Sequence, residues 1–210
     1  VELTKIEIPY WRIFMSAKIY AETKLPTEFG ELRLRAYRDD ACETHLDEPL
    51  ALVSGFLDPQ KTINVRIHSS CLTSEVLGSC KCDCKQQLDQ SLAYIKENTG
   101  VVIYLHQEGR GIGIGDKVRV YALQEHGYDT IEANEMLGLP IDARRYDQAV
   151  DILKDLGVKQ VNLLTNNPDK INYLTNAGFD VIQRTPVHGT DNVHSAPYIE
   201  TKRTRMGHML

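Results

Sequence analysis

What this chain lacks removes several classes of function before any residue is singled out. It has no run of about 18 apolar residues, the length that a membrane-spanning helix needs. Its N-terminus has no basic segment followed by an apolar one, so it does not read as a secretory signal, and the expected location is cytoplasmic. An excess of basic charge is missing too: 24 Lys and Arg stand against 29 Asp and Glu, a formal net charge of −5. Sequence-independent nucleic-acid binding rests on a basic face that neutralises phosphates, and the balance argues against it. A single small anion needs only a local cluster of Arg and Lys. Internal repeats and low-complexity runs are absent, and Gly and Pro are spread evenly instead of gathered into a linker, which favours one domain. Five cysteines in 210 residues are few for a disulfide scaffold. Val1 is compatible with a processed chain or with a piece of a longer one.

With 42% apolar residues the chain can bury one large core. The first third reads as β. Leu32, Arg33, Leu34 and Arg35 alternate within 31–38, and apolar runs follow at 50–57 and 62–68. Strands there deliver Arg66, His68 and Cys71 to one rim. Leu88, Leu92 and Ile95 recur at helical spacing between Asp83 and Asn98, with Gly100 as a stop before the β-rich run 101–105. A glycine-rich stretch, 109–115, then opens a helix through Val118, Tyr121, Ala122 and Leu123 that closes near Gly127. Ala149, Val150, Ile152, Leu153 and Leu156 form a further helical face ended by Gly157, and 161–164 is a short buried strand. Asn167 is an N-cap with Pro168 at the first helical position, and Gly178 ends that helix. This alternation predicts a layered α/β domain with a mixed sheet flanked by helices and a β-rich N-terminal part. The tail 186–210 resists assignment.

Four of the cysteines, Cys71, Cys80, Cys82 and Cys84, lie close together, which in a reducing compartment points to metal. Thiolates at Cys71, Cys82 and Cys84 suit zinc. Water in the fourth position would make the site catalytic; Cys80 there would make it closed and structural, and spacing alone leaves both open.

The surrounding residues resemble a known family. Arg66-Ile67-His68-Ser69-Ser70-Cys71-Leu72-Thr73, followed by Cys82-Asp83-Cys84 and Gln87, is similar to the metal signature of GTP cyclohydrolase II. The likeness runs from Ala21-Glu22-Thr23-Lys24-Leu25-Pro26-Thr27 to Thr201-Lys202 and Met206-Gly207-His208. It implies an N-terminal extension at 1–20 and a catalytic domain at 21–210. It also implies zinc on Cys71, Cys82 and Cys84, with Cys80 a small buried side chain at a usually apolar position. His106-Gln107-Glu108-Gly109-Arg110-Gly111-Ile112-Gly113 resembles the nucleotide-binding loop, whose glycines let backbone amides approach an anion while Arg110 pairs with phosphate. In Gly138-Leu139-Pro140-Ile141-Asp142-Ala143-Arg144 the resemblance makes Asp142 a general base and Arg144 an unusual nucleophile toward the α-phosphate. Tyr121 corresponds to a tyrosine of the ring-opening step, and Thr130, Thr165 and Lys170 to nucleotide-holding positions. Substrate contacts are thus expected at Arg66, Ile67, His68, Ser69, Ser70, Gln87, Glu108, Gly109, Arg110, Thr130, Thr165 and Lys170.

The implied activity is zinc-dependent opening of the GTP imidazole ring, with loss of formate and pyrophosphate, Mg²⁺ on the triphosphate and a homodimeric assembly. The implied product is 2,5-diamino-6-ribosylamino-4(3H)-pyrimidinone 5′-phosphate, at the entry to riboflavin synthesis. The alternatives are a non-catalytic guanine-nucleotide binder with a structural zinc site, and an enzyme of altered product. Three departures stand out: Ser70 replaces an expected glutamate, Gly115-Asp116 replaces the usual pair after the glycine loop, and the turn from Asn98 to Gly100 is one residue short.

Overall fold

A computed structural model describes residues 17–38, 47–189, 193–205, 207 and 209. Cys42, Met206, His208 and all but the last four residues of the expected N-terminal extension lie outside these. Seven strands form one sheet: β1 (Lys18–Thr27), β2 (Gly30–Arg38), β3 (Leu50–Ser54), β4 (Thr62–Ser69), β5 (Gly100–Leu105), β6 (Gln160–Leu164) and β7 (Asp180–Thr185). Their spatial order is β1-β2-β3-β5-β4-β6-β7. The first three strands and β5 pair antiparallel, whereas β5, β4, β6 and β7 pair parallel. The sheet is therefore mixed, and its β-rich beginning is the antiparallel half. No helix among the described residues is long and apolar enough to cross a membrane.

The helices are α1 (Leu72–Glu75), α2 (Cys84–Asn98), α3 (Gly113–Gln124), α4 (Thr130–Met136), α5 (Asp147–Asp155), α6 (Pro168–Asn176) and α7 (Ala196–Arg205). Side-chain alternation on β4 sends Ile63, Val65 and Ile67 into the larger core, with Val101, Ile103 and Leu105 of β5 and Ala149, Ile152 and Leu153 of α5. On the other face α2 lays Leu92 and Ile95 on Leu32 and Val102. Each fully buried Leu or Ile contributes about 1.5–3 kcal/mol relative to exposure. The alternation leaves Arg66 and His68 on the side away from Ile67, where Arg66 reaches Gln87 of α2 and His68 reaches Glu75 of α1.

Gly100 does more than stop a helix: it is the first residue of β5, and a Cβ there would lie 2.4 Å from the Asn64 carbonyl. The left-handed turn between helix and strand falls instead on Thr99, at φ 55°. Asn167 caps α6 by accepting from the Asp169 amide at 2.9 Å, with Pro168 at the helix start. Several boundaries differ from the sequence reading. The run 50–57 is strand only to Ser54, and the helix expected to close near Gly127 ends at Gln124. The unassigned tail contains α7, and β1, β7 and α4 were not foreseen.

Candidate active site

Three parallel strands end at one place. After β4 come Ser70 and Cys71; after β5 comes a 3-10 turn, Glu108–Gly111; after β6 come Thr165, Asn166 and Asn167. The carboxyl ends of parallel strands, where successive connections diverge to either side, are where open α/β sheets bind ligands. Here they border a cavity of about 580 Å³ and a smaller chamber of about 70 Å³. Ser69, Cys84, Arg110, Arg144 and Tyr198 line both, so the two are contiguous.

Sulfur gathers at the larger cavity. Cys71, Cys82 and Cys84 present ligand atoms all within 4.8 Å of one another, and Cys71 Sγ and Cys82 Sγ are 3.7 Å apart. A tetrahedral ion with Zn–S bonds of about 2.3 Å places its sulfurs about 3.8 Å apart, so the spacing fits a thiolate metal site and is far too long for a disulfide. Hydrogen bonding from Cys82 and Cys84, then Lys117, holds the Cys71 thiol far below its usual range, and the Cys82 thiol is raised in consequence. Lys117 of α3 donates to Cys71 Sγ at 3.2 Å, Thr73 Oγ1 at 2.9 Å and Glu108 Oε1 at 2.6 Å. Burial pulls its pKa down, but Glu108 and Cys71 outweigh burial and the net shift is upward. Cys80 is corrected by the structure: it is exposed, not buried, and among the described residues its Sγ reaches the Gly78 carbonyl alone, at 3.9 Å. It lies in the turn before Cys82, outside the cluster of Cys71, Cys82 and Cys84.

Behind the cluster runs a chain of buried polar groups. Glu75 Oε1 accepts from the Cys71 amide and from His68 Nε2, each at 2.9 Å, and Oε2 accepts from the Tyr104 hydroxyl at 2.6 Å. Arg66 Nη2 lies 3.4 Å from His68 Nδ1 and donates to Gln87 Oε1 at 2.8 Å, while Nη1 donates to the Leu164 carbonyl at 3.0 Å. Arg66 Nε is buried with no hydrogen-bond partner among the described residues. Burial lowers Arg66 to about 10 and His68 to about 4, so at neutral pH the first is a cation and the second is neutral.

The loop after β5 is conformationally expensive. Gly109, Arg110 and Gly111 all have positive φ, and Arg110 holds φ 63° without being glycine. Such a residue costs on the order of 1 kcal/mol or more and persists where its surroundings fix it. Ala143 N donates to Arg110 O at 2.9 Å, and a Cβ on Gly111 would press to 3.1 Å from the Ala143 backbone, so the loop is docked on the 142–144 segment. The Gly109 amide donates to Glu108 Oε1 at 2.9 Å, so the loop offers an anion chiefly the Arg110 side chain. Arg144 Nε donates to both Asp142 oxygens, at 2.9 and 3.1 Å, and Nη2 also bonds to Asp142. This pair is partly buried, unlike an ordinary solvated one: side-chain exposure is 13% for Arg144 and 32% for Asp142. Burial works against Arg144's charge, yet Asp142 outweighs it and raises the guanidinium pKa.

The sequence-derived set converges. Ser70, Glu108, Gly109, Tyr121 and Thr130 join the cysteines at the larger cavity; Arg66, His68, Gln87, Thr165 and Lys170 line the smaller; Ser69, Arg110 and Arg144 serve both. Ile67 and Asp142 line neither. Ile67 is buried in the core and its carbonyl accepts from Lys170 Nζ at 2.8 Å, while Asp142 is hydrogen-bonded to Arg144. Lys170 is 5% exposed, so it is no surface lysine. Tyr121 is pushed up to about 12 by burial and so keeps its proton at neutral pH. Sequence reasoning missed Lys117, Glu75 and Tyr198. Lys117 stands four residues before Tyr121, on the same face of α3, and that spacing was a usable signal. Tyr198 comes from the unassigned tail, and the Arg110 guanidinium sits 5.5 Å from its ring centre.

Fold and site define a class: an α/β protein with three cysteines spaced so that they could hold a metal ion, and a cluster of cations, at the carboxyl ends of parallel strands. The sequence model of GTP cyclohydrolase II matches residues 18–186. GTP cyclohydrolase-2 of Campylobacter fetus is 48% identical over 89% of this chain and 92% of its own length; that of Picrophilus torridus is 42% identical over 91% and 98%. The riboflavin biosynthesis protein RibBA of Chlamydia trachomatis is 45% identical over 90% of this chain, which corresponds to 45% of RibBA. The chain belongs to the GTP cyclohydrolase II family, and it is an enzyme of that family.

Proposed function

We propose that the substrate is GTP, that its imidazole ring is opened with release of formate and that pyrophosphate is released from the other end. The product is then 2,5-diamino-6-ribosylamino-4(3H)-pyrimidinone 5′-phosphate, in the first step of riboflavin synthesis. Ring opening, deformylation and phosphate cleavage each consume one water. The observation that carries this reading is the joining of the sulfur-lined cavity to a cationic chamber across a shared wall.

Cys71, Cys82 and Cys84 would hold zinc, whose chemistry when bound is Lewis acidity and the acidification of water to a pKa of about 7. The protonated Tyr121 hydroxyl is a donor at that cavity. Arg66 contributes a fixed charge at the smaller chamber, and Lys170, Arg110 and Arg144 add cationic charge for the triphosphate and its Mg²⁺. Thr130 and Thr165 stand at the two ends as further polar contacts. Homodimeric assembly and cytoplasmic location are extended to this chain as parts of the same proposal.

Attack by Arg144 on the α-phosphorus would form an N–P bond, expel pyrophosphate and pass a guanidinium proton to Asp142, which already accepts from Arg144 Nε. The raised pKa of that guanidinium favours a second reading, in which Arg144 stays protonated and only binds phosphate. The experiment is to incubate the zinc-loaded protein with GTP and Mg²⁺ and to assay formate, pyrophosphate and the pyrimidine product. Release of all three is expected. Binding of GTP with no formate would replace the enzyme reading by the nucleotide-binder one, and formate retained as a formamidopyrimidine would indicate an altered product.

A further inference from the structure

We infer that Glu75 is the positioning residue of the metal site, holding the Cys71 backbone so that its sulfur is aimed at the other two. The inference rests on the reading of the three cysteines as metal ligands and adds a residue outside that set. Cys71 begins α1, a helix of four residues with no side-chain cap at its start. So short a helix has no stability of its own, so the turn that carries Cys71 must be anchored by tertiary contacts. Glu75 links Cys71 to such anchors, and bonds to Cys71 itself in both directions. Its backbone amide donates to the Cys71 carbonyl at 2.9 Å, and its carboxylate accepts from the Cys71 amide at 2.9 Å, so the turn carrying the sulfur is closed at both ends.

The carboxylate is itself anchored from the sheet. His68 at the end of β4 and Tyr104 on β5 are register partners, and each donates to a different Glu75 oxygen. With a side chain 9% exposed, Glu75 ties the first cysteine to two adjacent parallel strands of the central sheet. Groups that fix a metal ligand from behind typically alter metal affinity by about 10–100-fold when removed. An ordinary helix-capping role predicts something different, namely a loss of stability with metal binding unchanged.

The test is zinc affinity, measured by competition with a chromogenic chelator on stripped and refilled protein, together with the absorption spectrum of the Co²⁺-substituted form. Glu75→Ala should lose about 10–100-fold in zinc affinity and show altered thiolate-to-cobalt and d–d bands. Glu75→Gln should recover most of the affinity, because its carbonyl oxygen can still accept from Cys71 and His68. Tyr104→Phe removes one of the two anchors and leaves the Glu75–Cys71 bond, so it should lose less zinc affinity than Glu75→Ala. If Glu75→Ala fails to fold, Glu75→Met fills the volume without an acceptor and takes its place. A folded Ala or Met variant with parental zinc affinity and cobalt spectrum overturns the inference, even if it melts earlier. Failure of the metal reading is seen separately, as parental protein that takes up no zinc or Cys82→Ser protein that keeps it.

Discussion

The two chambers of the site carry opposite chemistry. The larger one holds three cysteines, Glu108 and Asp129 with Lys81 and the buried Lys117; the smaller one has Arg66 and Lys170 and no acidic residue in its wall, and Arg110 and Arg144 stand between the two. A structural metal site needs no second chamber, and a simple phosphate site needs no thiolates. Sulfur at one end, buried cations at the other and two arginines between them suit one ligand whose two ends undergo different reactions, and such a site can be broken one end at a time.

The largest effect is expected at the sulfur end. Cys82→Ser removes one of three soft ligands, so zinc content by elemental analysis should fall from about one per chain to near zero and formate release to background. Pyrophosphate release in that variant is the sharper measurement: if it continues without formate, the chambers act independently. Next comes the cationic end. Arg144→Ala should keep its zinc yet lose about 10²–10³-fold in pyrophosphate release, the usual effect of deleting a fixed donor to developing charge. Arg144→Lys keeps the charge and changes the nucleophile, so it should bind GTP but release pyrophosphate slowly. Intact-mass analysis of quenched wild-type protein should show added GMP mapped to Arg144. An adduct elsewhere, or full pyrophosphate release from the alanine variant, returns Arg144 to phosphate binding.

The same contrast explains what could be read from sequence. Most of the parallel half announced itself: runs at 62–68, 101–105 and 161–164 are largely buried strands, punctuated by Gly and Pro at the ends of the helices between them, and only β7 was missed. β1 escaped because an edge strand exposed on nearly its whole length has no hydrophobic alternation to display. The helix α4 was legible and unread, since Asp129 and Glu132 form a capping box. Polar α7 has no apolar stripe and is tied down by contacts such as the Arg205–Asp129 ion pair, which no local pattern encodes. Within the site, motif residues were found because several share one stretch. Glu75 and Lys117 act through buried partners on other elements, so their burial was invisible beforehand.

A smaller effect is expected from the base. Arg66, Gln87, Glu108 and Arg110 are the proposed guanine and phosphate contacts, and buried polar groups left unmatched by adenine cost about 1–3 kcal/mol each, roughly 10- to 100-fold in kcat/KM per group. ATP should therefore be a poor substrate. Comparable turnover of ATP and GTP would show that neither chamber reads the base.

The smallest effect belongs to Cys80, and it is the cleanest check on where the sulfur chamber ends. Spacing alone allowed this cysteine to complete a four-sulfur site. In the fold it lies in the exposed turn leading to Cys82, with its Sγ 3.9 Å from the Gly78 carbonyl and no place in the cluster. Serine is nearly isosteric and, at an exposed position, substitutions of this kind change stability by less than about 0.5 kcal/mol. Cys80→Ser should therefore retain parental zinc content, melting temperature and formate release. A parallel Cys84→Ser variant provides the contrast, because it removes a member of the cluster and should lose zinc. Should Cys80→Ser lose zinc as Cys84→Ser does, the ion must be held by four sulfurs, the fourth position is closed, and the larger cavity would be left with a structural knot in place of a reactive centre.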